Sequence, residues 1–346
     1  MRHHLTHDPS VRDSSPQRTR TRTPDPIRRT RLAAAIAAPA ALALLAGCAA
    51  AAPADASPGT EGSASRASTS QSTTGAPHAD IAVDLSALEQ QYDARVGVVA
   101  IDTGTGRTAS WHGDDRFAYA STLKALAAGL VLQREGVAAL DDPVAIPAAP
   151  LIDYSPVTEQ HAGGTMTLGE VAAAAVELSD NTAGNLLFAR LGGVDALQKQ
   201  LRGLGDRTTQ VDRIEPDLNE AAPGDERDTS TPRALASSLR ALAVDEGRKA
   251  PLDSVERAAL NGWLDGSQTG ATLIRAGLPD GWTAGDKSGA AGYGTRNDVA
   301  VVHPPSGAPI VIAVLSSRDA TGDPDAEYDD ALVAAAARAT LDALRA

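Results

Sequence analysis

"FAYASTLKALAAGLVLQ", residues Phe117–Gln133, carries a single lysine, Lys124, inside an otherwise apolar run. A helix that is apolar on all sides belongs in a core rather than on a surface. The chain has only four lysines in 346 residues, and burying an ammonium group costs on the order of several kcal/mol unless it is paired or gives up its proton. Ser121 stands one helical turn earlier on the same face, which predicts a hydroxyl and an amine side by side. Taken alone, the pair also reads as a serine helix cap followed by a lysine that snorkels to solvent.

The flanks of this stretch set the fold class. Upstream, "ARVGVVAIDTGTGRTASWH" (residues 94–112) reads as two strands joined by a glycine-containing turn. Downstream, an alanine-rich helical region broken by polar loops runs from about Thr122 to Ala243. Strand-like runs follow near Trp282–Ser288, Asn297–His303 and Pro309–Ser316, and "DAEYDDALVAAAARATLDALRA" closes the chain as an amphipathic helix. Strands at both ends with helices between predict an α/β protein of the α+β type. Its mixed lobe would hold an antiparallel sheet of about five strands, built from N- and C-terminal segments and flanked by helices. An all-α lobe would be inserted, with the active site between the lobes.

The first 47 residues read as a signal peptide. Residues 1–31 carry eight arginines, no lysine and three aspartates, about +5 in all, and precede the apolar run "LAAAIAAPAALALLAG" at residues 32–47. That run is short for a membrane span and contains Pro39. Arg28-Arg29 leaves a twin-arginine export route open. "LLAGC" ends in Cys48, the only cysteine of the chain, so no intramolecular disulfide can form. Leu-Ala-Gly-Cys resembles the bacterial lipobox, which implies lipidation of Cys48 as the mature N-terminus. Residues 48–79, rich in Ala, Ser, Thr and Pro, read as a flexible tether, and residues 80–346 as the folded domain. The full chain has net charge −13 and the presequence about +5, so the mature chain stands near −18. Such acidity argues against nucleic acid and against an anionic membrane surface; contact with a membrane would come only through the lipid.

Further short patterns join Ser121 and Lys124. "ELSDNTAGNLL" places Ser179-Asp180-Asn181 at the opening of a helical segment, and "TAGDKSGAAGYGTRNDVAVV" places Lys287-Ser288-Gly289 at a strand end leading into a glycine-rich hairpin. Ser-x-x-Lys, Ser-Asp-Asn and Lys-Thr-Gly, in this order, are the signature of class A β-lactamases and penicillin-binding proteins; here serine replaces the threonine. In "DRIEPDLNEAAPGDERDTSTPRAL", Glu215 and Asn219 match the Glu-x-x-x-Asn of the class A omega loop, which penicillin-binding proteins lack. "LIDYSPVTEQH" (residues 151–161) and "RDTSTPRAL" (residues 227–235) are similar to class A sequence as well. From about residue 80 to the C-terminus the chain thus resembles a class A serine β-lactamase.

The resemblance implies a set of roles. Ser121 would be the nucleophile and Lys124 a base beside it, since opening a strained cyclic amide needs a hydroxyl that can lose its proton. The backbone N–H groups of Ser121 and Ala290 would hold the oxyanion. Ser179, oriented by Lys287, would relay a proton to the departing ring nitrogen. Asn181 would touch Lys124 and the acylamido side chain of the substrate, and Asp180 would brace its loop. Glu215 and Asn219 would hold and activate the water that deacylates the serine; whether Glu215 also serves acylation is disputed for the family. Arg213 and Asp228 correspond to the ion pair that closes the omega loop, and a cis bond is implied at Glu215–Pro216. Tyr154 would wall the cleft. Lys287, Ser288, Gly289 and Arg296 would border the substrate carboxylate, with Arg296 its guanidinium partner. Ala120 and Ala291 stand where some carbapenem-hydrolysing relatives carry a cysteine pair.

The expected activity is hydrolysis of β-lactam antibiotics by a monomer, with a water as co-substrate and no cofactor. The rival readings are a cell-wall D,D-peptidase, disfavoured by Glu215 and Asn219, and a surface receptor that binds without turnover, disfavoured by an intact Lys124, Ser179 and Glu215. A metalloenzyme is disfavoured because His112, His161 and His303 show no ligand spacing.

Overall fold

The computed structural model describes residues 80–346; the presequence, Cys48 and the tether lie outside the described residues. The chain enters the sheet through β1 (Ile81–Ala82), α1 (Ser86–Tyr92), β2 (Arg95–Asp102) and β3 (Thr108–Trp111). It leaves it for β4 (Phe117–Ala118), α2 (Leu123–Glu135), β5 (Pro143–Ala145), β6 (Thr165–Thr167), α3 (Leu168–Glu177), α4 (Asn181–Leu191) and α5 (Val194–Leu204). After β7 (Thr229–Ser230), α6 (Pro232–Ala243), α7 (Ser254–Asp265) and α8 (Ile274–Gly277) it returns through β8 (Thr283–Ala291), β9 (Thr295–His303) and β10 (Ile310–Ser317). It ends in α9 (Asp330–Arg345).

The sheet has six strands in the order β1-β3-β2-β10-β9-β8. The sixth, beyond the five expected, is the two-residue β1, which pairs with β3 in parallel while every other pairing of the sheet is antiparallel. Two short two-stranded sheets, β4 with β7 and β5 with β6, lie outside it.

Both faces of the sheet are buried, and strand alternation sorts the side chains between two cores. Val96, Val98, Ala100, Ile312 and Val314 pack with Leu332, Val333, Ala336 and Leu341 of α9. The residues between them, Val99, Ile101, Val311, Ala313 and Leu315, pack with the inserted helices. At the centre of the second core lies α2, buried continuously from Leu123 to Leu132, Lys124 included. Among the described residues no helix is long and apolar enough to cross a membrane.

Candidate active site

Ser121 sits at the edge of the second core, against β8. A short 3₁₀ turn, Ala120–Thr122, runs directly into α2, so the α-helix begins two residues after the serine rather than at it. Ala120 holds φ at +50°, a left-handed conformation that costs a residue with a Cβ roughly 1–3 kcal/mol and is tolerated where the surroundings impose it. The surroundings here include the passing edge strand: a Cβ at Gly289 would lie 3.0 Å from the Tyr119 carbonyl oxygen and 3.2 Å from the Ala120 Cβ. Glycine therefore lets β8 run against the serine turn.

Lys124 is buried because each of its three N–H bonds has an acceptor. Nζ lies 2.8 Å from the Ser179 carbonyl oxygen, 2.6 Å from Asn181 Oδ1 and 2.9 Å from Glu215 Oε1. The sequence predicts a hydroxyl beside an amine; in the structure both groups meet at a carboxylate oxygen. Ser121 Oγ donates to Glu215 Oε1 at 3.1 Å, the same oxygen that Lys124 reaches. Burial pushes the Lys124 ammonium below the ordinary lysine range, and the Glu215 charge works in the opposite direction.

Ser179 bridges to a second buried lysine. Its Oγ accepts from Lys287 Nζ at 2.9 Å, and that ammonium also donates to the Ser288 carbonyl oxygen at 2.8 Å. Burial, reinforced by the positive charge of Lys124, pulls Lys287 down to about 7, while Asp286, Asp298 and Glu215 oppose the shift. Asp180 caps α4 through a bond from Ala183 N–H and accepts from the N–H groups of Val157 and Thr158, so it braces the loop that carries Tyr154. Asn181 Nδ2 donates to the Asp153 carbonyl oxygen at 2.8 Å, which leaves its Oδ1 for Lys124.

Glu215 is held at both ends. Asn219 Nδ2 donates to Glu215 Oε2 at 2.5 Å, and the Asn219 Oδ1 is buried without a partner among the described residues. The loop carrying them is closed by Asp228, which is buried, accepts from Arg213 Nε at 2.5 Å and from the N–H groups of Asp212 and Arg213, and receives the Tyr119 hydroxyl at 3.0 Å. The Glu215–Pro216 bond is cis.

One cavity of about 480 Å³ joins these groups, lined by Ser121, Ser179, Asn181, Asn219, Ser288 and Ala290 among others. Tyr154 borders it and is 62% exposed. Antiparallel register puts Arg296 directly opposite Ala290, so the strand pairing itself delivers a guanidinium to the cleft. Arg296 Nε donates to Asp330 Oδ1 at 2.6 Å, and its guanidinium lies over the Tyr328 ring, 4.8 Å from the centroid.

Three contributors escape the sequence reading. Asn185 clamps Glu215 by accepting from its N–H and donating to its carbonyl oxygen, each at 2.9 Å. The available signal is a second asparagine one turn after Asn181, a poor helix former facing the same way. Thr269, whose hydroxyl receives that of Ser288 at 2.7 Å, lies in a segment with no recognisable pattern, and Tyr328, which also lines the cavity, falls in the stretch read as the closing helix, which begins only at Asp330.

A hydroxyl that shares one carboxylate oxygen with a buried lysine, with a second lysine–serine pair across the cleft, is equipped to take and return an acyl group; such a site defines a serine hydrolase. Comparison with known proteins narrows the class. Residues 80–344 match the model of the β-lactamase enzyme family. The chain is 48% identical over 261 residues to a β-lactamase of Bacillus licheniformis, spanning 75% of this chain and 83% of that one. It is 50% identical over 255 residues to β-lactamase 1 of Bacillus cereus, spanning 74% and 81%. Among solved structures, a halotolerant bacterial β-lactamase aligns with a TM-score of 0.72 at 48% identity, covering 76% of this chain and 99% of that one. The class A β-lactamase of Clostridium kluyveri aligns with 0.72 at 43%, covering 76% and 97%. The chain belongs to the β-lactamase enzyme family, as a class A serine β-lactamase, a hydrolase of the β-lactam ring whose activity gives antibiotic resistance. None of these matches points to a D,D-peptidase.

Proposed function

We propose that the protein hydrolyses penicillins and cephalosporins through an ester on Ser121. The observation that carries this reading is the meeting of Ser121 Oγ and Lys124 Nζ on Glu215 Oε1. Ser121 Oγ attacks the β-lactam carbonyl carbon and gives up its proton to the Lys124–Glu215 pair, and the N–H groups of Ser121 and Ala290 receive the oxyanion. As the C–N bond breaks, the ring nitrogen takes the proton of Ser179, whose oxygen is held by Lys287. Asn181 binds the acylamido side chain, and Tyr154 packs against it. A water then attacks the ester, losing its proton to Glu215; Asn219, whose Oδ1 has no partner among the described residues, positions that water. The Arg213–Asp228 pair keeps Glu215 in place. The cleft is complete within one chain, which supports action as a monomer. The direct test is mass spectrometry of the protein mixed with a penicillin: a transient adduct confined to the Ser121 peptide is expected, and an adduct elsewhere would refute the assignment.

Arg296, with Lys287, Ser288 and Gly289 beside it, takes the substrate carboxylate. Its ion pair with Asp330 uses Nε, and neither Nη has a partner among the described residues, so a paired set of charge-assisted bonds is available. Losing such bonds typically costs about 1.5–3 kcal/mol, or roughly 10- to 150-fold. The carboxylate is charged before and during the reaction, so Arg296→Ala should act mainly on KM. Unchanged KM for every carboxylate-bearing substrate would transfer the role to Lys287 and Ser288.

The presequence supports export, and "LLAGC" supports a lipid anchor on Cys48 with residues 48–79 as the tether. Cys48→Ser should leave activity per molecule intact while the protein leaves the membrane fraction. A mature N-terminus well past Cys48 in the parent would remove the anchor from the reading and leave a secreted enzyme.

A further inference from the structure

Four large apolar side chains stand out as exposed among the described residues: Tyr154, Ile214, Val255 and Tyr328. Two of them, Tyr154 and Tyr328, line the active-site cavity. Tyr154 lies beside Asn181, whose N–H donates to its carbonyl oxygen, and Tyr328 lies beside Arg296. The cleft thus has an aromatic ring near each of the two groups assigned to opposite parts of the substrate.

Tyr328 is 48% exposed, and the two residues that follow it are tied down. It stands just before Asp329, which caps α9 by accepting from Ala331 N–H at 2.9 Å. Asp330 then receives Arg296 Nε on one oxygen at 2.6 Å and the Thr272 hydroxyl on the other at 2.5 Å. The guanidinium of Arg296 covers part of the ring, and the Tyr328 hydroxyl has no partner among the described residues. What remains is an exposed aromatic surface, backed by the guanidinium and facing the cavity, which favours a flat apolar group settling on it.

We propose that Tyr328 is a specificity-determining residue: it is the platform for an aryl or vinyl substituent on the ring carbon next to the carboxylate-bearing carbon of cephalosporin-type substrates. The inference rests on assigning the substrate carboxylate to Arg296. A carboxylate held by that guanidinium places the adjacent ring carbon two bonds from the carboxylate carbon, and the Tyr328 centroid is 4.8 Å from the Arg296 Cζ. Penicillins carry two methyl groups at the corresponding place and offer no flat group to stack.

The test compares two cephalosporins with the same acylamido side chain, one with methyl and one with a directly attached aryl group at that carbon, so that no leaving group departs there. For Tyr328→Ala, kcat/KM for the aryl compound should fall about 3- to 10-fold relative to the methyl compound, the span an aromatic pair supplies. Tyr328→Phe should keep the parent ratio, because the ring and not the hydroxyl does the packing. An equal fall for both compounds would show that Tyr328 acts only by steadying Arg296, and a Phe variant that behaves like Ala would assign the effect to the hydroxyl; either overturns the proposal. Arg296→Ala measured on the same pair separates the two readings: no change for either compound defeats the carboxylate assignment, whatever Tyr328 does.

Discussion

Glu215→Gln is expected to take up a penicillin on Ser121 and then stall. The amide has the shape of the carboxylate and can still receive the Ser121 hydroxyl and Lys124, but it cannot take a proton from water. General-base assistance is typically worth about 10²- to 10⁴-fold, and deacylation should slow by that factor. Acylation has a physical reason to survive. The Glu215 charge, with that of Asp180, favours the Lys124 ammonium against burial, so neutralising Glu215 makes the Lys124 proton easier to lose and favours its action as a base beside the serine. Time-resolved mass spectrometry should show the adduct filling stoichiometrically and outlasting the parent's. Turnover at the parent rate would remove Glu215 from the role of base.

Ser121→Ala should abolish turnover and covalent labelling together, with a loss on the order of 10⁴- to 10⁶-fold, as for other serine hydrolases stripped of the nucleophile. The neighbouring hydroxyls cannot stand in. Thr122 Oγ1 is buried and donates to the Tyr119 carbonyl oxygen at 2.7 Å, and Ser179 Oγ is held by Lys287. Lys124 and Glu215 remain paired in the variant, so its thermal midpoint should stay close to the parent's. Labelling that persisted at Ser179 would exchange the two serines.

Much of the site was legible because its chemistry is written in short spacings. Ser121 with Lys124, Ser179 with Asn181, Lys287 with Gly289 and Glu215 with Asn219 each lie within one turn or one strand step, and each recurs in the cleft at bonding distance or along its wall. What the sequence could not display is how these pairs meet. The carboxylate that joins Ser121 to Lys124 comes from 94 positions away, and a local reading sees only the two ends of that contact. Asn185 is hidden for the same reason, since its two bonds to Glu215 span 30 positions.

The fold shows a parallel division. The strand-like runs located β2, β3, β9 and β10 to within a residue or two: β2, β9 and β10 are almost continuously buried and read as apolar runs, while β3, with Ala109 alone buried, is marked by the turn before it. β8 runs to Ala291, past the expected end at Ser288: glycine and alanine carry little strand signal, yet Ala290 and Ala291 pair with Arg296 and Thr295. β1 is two residues long and has no period to detect.

The seam between β2 and β10 bears on when the enzyme comes into being. Arg95 and Asp319, bonded at 2.7 Å across it, are 224 positions apart. Loop closure over such a span is entropically unfavourable, and contacts of this separation form late. Until β10 has emerged, β2 and β3 have nothing to join them to β9 and β8, and Lys287 has no route to Ser179. Synthesis must therefore pass β10 before any catalyst exists, and a chain cut before that strand is a serine without a cleft.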